Sequence, residues 1–362
     1  MLLRRKETPE IVEKINLTGA QLEFASEVYM YINSTYANTE GLSNEYLVKN
    51  MGLLLWREED YPGDQYSNYE NCDLIMNDVV ISGNKITTKS HGIPAKEYGD
   101  EYKMRVFLRM PDGSYVYSRP TNPYSPQKYA EDRLRNSSDV KLKKALVAML
   151  DYGTAAQYYF KNYRIDDLAN DITVKDKSGN VIDLNTYRTA YTADMIISTV
   201  AADKNVLGSW ARNKTDCPTI SPQLEMAGRV NYMFTFKFTS AIREKAVSGT
   251  AMFWDKATYE QIKANGGQFS EDNATLVVSM PKNSNGYYYA VYDRANIADL
   301  GDSLYVCGVV TDASGNTYTS GVVPYNAHAY ASDRIKNGSG NIIELSKTLV
   351  VYSNMAKAYF DK

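Results

Sequence analysis

Two stretches of this 362-residue chain, about two hundred residues apart, read alike, and that repetition constrains the fold more than any other feature. Self-similarity at a fixed distance marks one structural unit used twice. Gln21-Leu22-Glu23-Phe24-Ala25-Ser26-Glu27-Val28 is echoed by Gln223-Leu224-Glu225-Met226-Ala227-Gly228-Arg229-Val230. Leu54-Leu55-Trp56 answers Met252-Phe253-Trp254, Gly99-Asp100 answers Gly301-Asp302, and Gly113 to Ser118 answers Gly315 to Ser320. Pro123-Tyr124-Ser125 with Tyr129-Ala130-Glu131-Asp132-Arg133 aligns with Pro324-Tyr325-Asn326 and Tyr330-Ala331-Ser332-Asp333-Arg334. Each copy closes on Tyr-Phe, at Tyr159-Phe160 and Tyr359-Phe360, and the offset stays between 198 and 202 throughout.

Local chemistry gives each copy its shape. Tyr102, Met104, Val106 and Leu108 alternate with Lys103, Arg105, Phe107 and Arg109, the period of a strand. Pro111-Asp112-Gly113-Ser114 then reads as a turn returning through Tyr115-Val116-Tyr117. The second copy repeats this from Ser303 through Asp312-Ala313-Ser314-Gly315 to Thr317-Tyr318-Thr319. Ser125 and Asn326 stand where a helix N-cap belongs, with Pro126 at the first helical position. A short helix follows in each copy, then a longer one. Its apolar stripe runs Leu142, Leu146, Met149, Leu150 and Ala156 in one copy, and Ile342, Leu345, Leu349, Tyr352, Ala356 and Tyr359 in the other.

The expected fold is therefore α+β and mostly β: two tandem β-sandwich-like units, each followed by a short and a long helix. The expected boundaries are a lead-in over 1–20, a first unit over 21–165, a structured connector over 166–220 and a second unit over 221–362. In the connector, Ile172-Thr173-Val174 and Val181 to Leu184 suggest a hairpin, and a helix is expected from about Ala193 to Ala202.

Composition narrows the functional classes. Net charge is −3 with Lys and Arg scattered, so the basic stripe of a nucleic-acid binder is missing. No apolar run reaches the length of a membrane span, so membrane insertion is not expected. Cys72, Cys217 and Cys307 are widely spaced without a CxxC pair, which disfavours zinc and permits one disulfide of undetermined pairing. The outlier is tyrosine, 31 residues against 9 Phe and 3 Trp. Tyr suits both strands and half-wet recognition surfaces, since it joins a large apolar face to a polar tip.

Catalytic signatures are missing: there is no GxSxG elbow, phosphate-binding loop, GxGxxG or HExxH. His91 and His328 have no second ligand at metal spacing, and His328 is expected on the surface. Arg57-Glu58-Glu59-Asp60 beside Trp56 is the best place for a hidden glycosidase carboxylate pair, against the plainer reading of a solvated loop. Asp176 to Asn180 and Asp312 to Asn316 lack the ligand series of a calcium loop and read as hairpin turns. No cofactor is implied.

The string Leu146 to Phe160, Leu-Val-Ala-Met-Leu-Asp-Tyr-Gly-Thr-Ala-Ala-Gln-Tyr-Tyr-Phe, with Tyr163 and Asp166-Asp167-Leu168-Ala169-Asn170, resembles a recurrent module. That module occurs in large secreted and wall-anchored proteins of Gram-positive gut Clostridia, among them immunoglobulin-binding superantigens of Lachnospiraceae. The second copy departs from it, since Val351 to Lys357 lacks the Tyr-Gly-x-Ala-Ala core. The resemblance implies a non-enzymatic cell-surface binding module with a host-protein partner such as immunoglobulin. It also implies a secreted or wall-anchored location. The charged start Met1 to Lys6 has no apolar segment after it, so the chain is expected to be a fragment without its signal and anchor.

Binding anchors are expected among turn-borne aromatics: Tyr61, Tyr66 and Tyr69 around Pro62-Gly63, and Tyr287, Tyr288 and Tyr289 after Asn285-Gly286. The alternative is a carbohydrate-binding module of a secreted glycan-degrading system, using Trp56 or Trp210 as a sugar platform. Trp56 and Trp254 occupy matching places in the repeat, which favours core roles for both.

Overall fold

The computed structural model describes residues 14–24, 28–38, 40–160 and 168–361. Ala25, Ser26 and Glu27 of the repeat, Tyr163 and Asp166-Asp167 of the resemblance, and Met1 to Lys6 lie outside the described residues.

The first half carries β1 (Ile15–Phe24), β2 (Val28–Tyr36), α1 (Asn44–Asn50), β3 (Met51–Arg57), β4 (Leu74–Met76), β5 (Val79–Ser82), β6 (Lys85–Ile93), β7 (Tyr102–Arg109) and β8 (Tyr115–Tyr117). Helices α2 (Pro126–Asn136) and α3 (Val140–Phe160) follow. After a connector with the single helical turn α4 (Ser209–Arg212) come β9 (Thr219–Glu225), β10 (Asn231–Lys237), α5 (Ser240–Lys245) and β11 (Ala246–Trp254). The chain continues through α6 (Lys256–Ala264), β12 (Leu276–Ser279), β13 (Tyr288–Tyr292), β14 (Leu304–Asp312), β15 (Thr317–Thr319) and β16 (Val323–Tyr325). It ends in α7 (Ala327–Asn337) and α8 (Asn341–Phe360). The fold is α+β and β-rich.

Strand orders correspond in the two halves, with antiparallel pairing in each. The first has β1-β2-β6-β5 and β4-β3-β7-β8, the second β9-β10-β13 and β12-β11-β14-β15, with β16 also on β14. By packing, one unit comprises the described parts of Met1–Glu23, Val28–Gly92 and Gly99–Tyr129, and the other those of Phe24–Glu27, Ile93–Tyr98 and Ala130–Lys362.

Alternation drives the strands. On β10, Tyr232, Phe234 and Phe236 are buried while Met233 and Thr235 are half-buried, each buried aromatic contributing about 1.5–3 kcal/mol by area. Phe234 meets Phe253 of β11 at 5.7 Å. Gly308 on β14 is required by this packing, because a Cβ there would stand 2.6 Å from the Phe236 ring. In the first half Met30 and Ile32 of β2 and Met104 and Val106 of β7 are buried in the same alternating way, whereas β3 is buried on both faces from Met51 to Trp56.

The turns and caps form as their chemistry demands. Gly113 and Gly315 both adopt positive φ, 87° and 83°. Ser125 Oγ accepts the Lys128 N–H at 3.0 Å and Asn326 Oδ1 accepts the Ala329 N–H at 2.8 Å. Asp312 Oδ1 accepts the backbone N–H of Ser314 and Asn316, and Asp176 Oδ1 those of Ser178 and Asn180, so both segments are Asx turns. Ser118 Oγ accepts the Val106 N–H at 3.0 Å and donates to Arg119 O at 2.7 Å. Ser320 Oγ does the same with Gly308 N–H and Gly321 O, both at 2.8 Å. Each serine bridges the two strands where β8 or β15 peels off the sheet.

The long helices α3 and α8 lie against each other. Tyr152 and Tyr352 meet at 5.9 Å near their middles, and Asn341 Nδ2 donates to Tyr158 O at 2.9 Å near one end, so the helices run antiparallel. The stripe from Leu142 to Ala156 and that from Ile342 to Ala356 are buried. Gly153 admits Tyr98 and Ala169, each within about 3 Å of where a Cβ would sit.

Two expectations for the connector are corrected. The expected hairpin is shorter than its sequence suggested: around the turn at Gly179 the Asp176 N–H donates to Asn180 O and the Ile182 N–H to Val174 O, both at 2.8 Å, on either side of the Lys175–Val181 bridge. The helix expected over Ala193 to Ala202 is a single 3₁₀ turn, Ala193–Met195. Its backbone is drawn elsewhere: the Ile197 N–H donates to His328 Nδ1 and the Val200 N–H to Ser303 Oγ.

Ser118→Ala and Ser320→Ala each leave a buried N–H without its acceptor, and each is expected to cost about 1–3 kcal/mol in urea unfolding. A change under about 0.5 kcal/mol at both positions is inconsistent with the bridging role.

Candidate binding face

The strongest candidate grows from one face of the β4-β3-β7-β8 sheet. Leu54 and Trp56 on β3 and Phe107 on β7 form a buried cluster there, and the segment after β3 folds across them. Trp56 is fully buried and its Nε1–H donates to Asn71 O at 2.8 Å. The Arg57 N–H donates to Asp73 Oδ2 at 2.9 Å. Arg105 on β7 fastens the loop from below, donating from Nη1 to Ser67 O and from Nε to Ser118 O, both at 2.6 Å.

The three tyrosines of this loop separate. Tyr61 stands edge-on to Trp56 at 5.5 Å and donates to Asp64 Oδ1 at 3.0 Å. Tyr69 stacks on Tyr115 at 4.8 Å and meets the edge of Phe107 at 5.2 Å. Both are half-buried and serve as the loop's own packing. Tyr66 alone projects, with 59% of its surface exposed. Tyr115 in turn stacks on Tyr117 at 6.0 Å. Cations complete the row: Lys103 Nζ lies 4.4 Å from the Tyr61 ring and the Arg105 guanidinium 4.8 Å from that of Tyr117. Desolvation raises the Tyr117 hydroxyl above its ordinary range, while the Tyr69 N–H directed at its oxygen works the other way.

The corresponding face in the second half is sealed. Trp254, Met252, Tyr305 and Cys307 are buried beneath Val206, Ala211, Tyr259 and Phe269, supplied by the connector, α6 and the segment after it. Trp254 Nε1–H donates to Asn273 Oδ1 at 2.9 Å, and Trp210 packs against the Trp254 ring at 6.4 Å. Both repeat tryptophans are core, and neither offers a sugar platform.

The second tyrosine group needs correction. Tyr288 is buried on β13, its hydroxyl donating to Ala246 O at 3.2 Å, because β13 pairs with β10 and turns this side chain inward. Tyr289 and Tyr287 are half-buried, and Tyr287 carries Arg243 at 4.7 Å and Lys237 at 5.8 Å.

His328 is likewise not a surface residue. It is fully buried, its Nδ1 accepting the Ile197 N–H at 3.1 Å and its Nε2 facing Ser353 Oγ at 3.3 Å. Burial, then the nearby Lys357 charge, pushes its pKa down to about 4. Glu58, Glu59 and Asp60 are all exposed in a 3₁₀ turn, the solvated loop. The three cysteines are free thiols, with burial raising Cys217 to about 12 and Cys307 to about 11.

Sequence reasoning missed one carboxylate gathering. A cleft of about 480 Å³ beside α6 is lined by Asp255, Glu260, Asp299, Asp302 and Asp361. Desolvation and then the Asp302 charge raise Asp299. Burial opposes the charge on Asp302, but hydrogen bonds from Lys357 and Lys256, at 2.9 and 3.0 Å, more than offset it and hold the group below the usual range. Asp302 thus ties the start of α6 to the end of α8, and Asp255 caps α6 through the Thr258 N–H. The only sequence signal was the repeated Gly-Asp.

No known protein family matches the chain, and no curated protein matches it. Among solved structures it is similar over 83% of its length to the pullulanase SAP of Group B Streptococcus in complex with maltotetraose, at 10% identity and a TM-score of 0.16. The chain spans 23% of that enzyme. It is also similar over 86% of its length to the FN1–FN3 domains of chicken CNTN1, covering 97% of them at 8% identity and a TM-score of 0.20. At TM-scores this low the likenesses place neither fold nor function.

His328 gives a pH signature. Its folded pKa lies below the ordinary 6.5, so the unfolded chain takes up a proton that the folded chain refuses. Stability from this site is complete above pH 6.5 and falls as pH drops towards 4, by about 3 kcal/mol. His328→Gln is expected to be less stable than wild type at pH 7, with the gap narrowing towards pH 4 in paired denaturation curves. A constant gap contradicts the assignment.

Proposed function

We propose that the chain is a non-enzymatic binding module of a secreted or wall-anchored bacterial surface protein, built from two diverged copies of one unit. Its recognition surface is the open face around Tyr66, Tyr69, Tyr115, Tyr117, Lys103 and Arg105. The observation that carries this reading is the contrast between the halves. The second half spends a helix and a connector segment on burying the corresponding face, whereas in the first these six side chains stay half-buried or exposed.

The chemistry favours a protein partner, and the resemblance suggests immunoglobulin. Tyr and Arg are the residues enriched at interface centres, and here they are held in place before any partner arrives. A sugar ring needs an uncovered aromatic face. Tyr115 has Tyr69 and Tyr117 stacked on it, and Tyr61 and Tyr117 carry cations, so this row presents edges and hydroxyls instead. In the acidic cleft, Asp302 is committed to two lysines and Asp255 to a helix cap, which weighs against an acid–base pair there.

Polyclonal immunoglobulin immobilised on a sensor surface is expected to retain the chain, and a glycan array is not. Tyr66→Ala is expected to weaken retention tenfold or more, roughly 1.4 kcal/mol or above, with unchanged thermal stability. Tyr289→Ala serves as the control in the other half. Glycan binding without immunoglobulin binding, or a Tyr66→Ala protein that binds as wild type, removes the proposal.

A further inference from the structure

A second surface, distinct from the one above, lies at one end of the second sandwich. Four cations converge there: Lys237 at the end of β10, Arg243 and Lys245 in the last turn of α5, and Lys282 before β13. They are tied to aromatic rings. Arg243 and Lys237 lie over Tyr287 at 4.7 and 5.8 Å, Lys245 over Tyr318 at 4.6 Å, and Lys282 over Tyr288 at 5.1 Å. Arg243 also donates to Phe238 O and Asn285 O, and Lys282 to Arg243 O at 2.9 Å, so both are fixed in position. Lys245 is exposed and Lys237 half-buried.

Three carboxylates stand nearby and offset part of this charge, and Asp312 and Asp216 both act on Lys245. Asp312 is occupied by the Asn316 and Tyr318 side chains, and Asp216 accepts from Asn213 Nδ2 at 2.8 Å. Glu244 is the one exposed carboxylate within α5. The matching helix of the first half, α1, carries Lys49 as its single cation. The four cations still outnumber these three carboxylates, in a chain whose net charge is −3.

We infer that this end binds an anionic polysaccharide bearing sulfate or phosphate groups. Ammonium and guanidinium groups pair with such oxygens. Tyr287 and Tyr318 keep the cations spaced along an edge. Nucleic acid fits less well, because sequence-tolerant binding of single strands stacks bases on ring faces, and here cations already lie over those rings.

The test uses the full chain on immobilised dextran sulfate, a phosphorylated dextran and neutral dextran at low salt. Retention by one or both anionic polymers, none by neutral dextran, and release with added NaCl are expected. The Lys237→Ala/Lys245→Ala double variant, which leaves the fixed Arg243 and Lys282 in place, should bind about tenfold more weakly with an unchanged circular dichroism spectrum and melting temperature. Tyr66→Ala should bind like wild type, which separates this surface from the immunoglobulin reading. No retention on either anionic polymer, equal binding by the double variant, or tighter binding to single-stranded DNA than to both polymers overturns the inference.

Discussion

An apolar pair on the outer face of a sheet must be covered, and much of this molecule follows from how that is done. Leu54 with Trp56 in one half, and Met252 with Trp254 in the other, lie on the sheet face where the loop cluster forms. Left in water, each tryptophan would forfeit several kcal/mol of burial. The first half answers with a loop pinned by Arg105 and by a hydrogen bond from the Trp56 indole. The second answers with α6 and connector segments, which bring Tyr259, Phe269 and Val206 over the same place. A loop covers less than a helix does, so a row of tyrosines is left part-wet on the first half.

The two long helices show the repeat meeting itself. Tyr152 and Tyr352 occupy equivalent positions and touch each other across an antiparallel pair. Such a contact has the character of an isologous interface, in which one surface is its own complement. The departure of α8 from the Tyr-Gly-x-Ala-Ala pattern is tolerated here. Ser353 replaces the glycine and faces the buried His328, while Gly153 of α3 admits Tyr98 and Ala169 instead. The same helix position thus supports two different local packings.

What was legible in the sequence was what local chemistry decides. Caps at Ser125 and Asn326, turns at Gly113 and Gly315, and strand alternation depend on near neighbours, and the repeat doubled each signal. What was not legible depends on partners far along the chain. His328 finds its hydrogen bonds at Ile197 and Ser353, 131 and 25 residues away, so nothing beside it announces burial. Tyr288 follows Asn285-Gly286 closely and reads as part of a loop until β13 pairs with β10. The segment after Ala193 has helix-compatible residues, yet Ser303 and His328 claim its N–H groups. Of the first loop's tyrosines, composition said aromatic and turn-borne, but only the Trp56 and Phe107 contacts show which rings the loop needs for itself.

That distinction bears on how the open face would work. A side chain that must be ordered on binding loses rotamer freedom at a cost of about 0.5–1.5 kcal/mol. Tyr69, Tyr115 and Tyr117 are already stacked, and Arg105 is already bonded to two carbonyls, so most of that cost falls on folding. Tyr66 is the exposed exception, at the loop's tip between Gly63 and Ser67. A rigid aromatic row with one projecting ring beside it suits a partner that offers a pocket for that ring and an edge for the hydroxyls. A flat sugar needs the opposite arrangement, with faces free and edges buried.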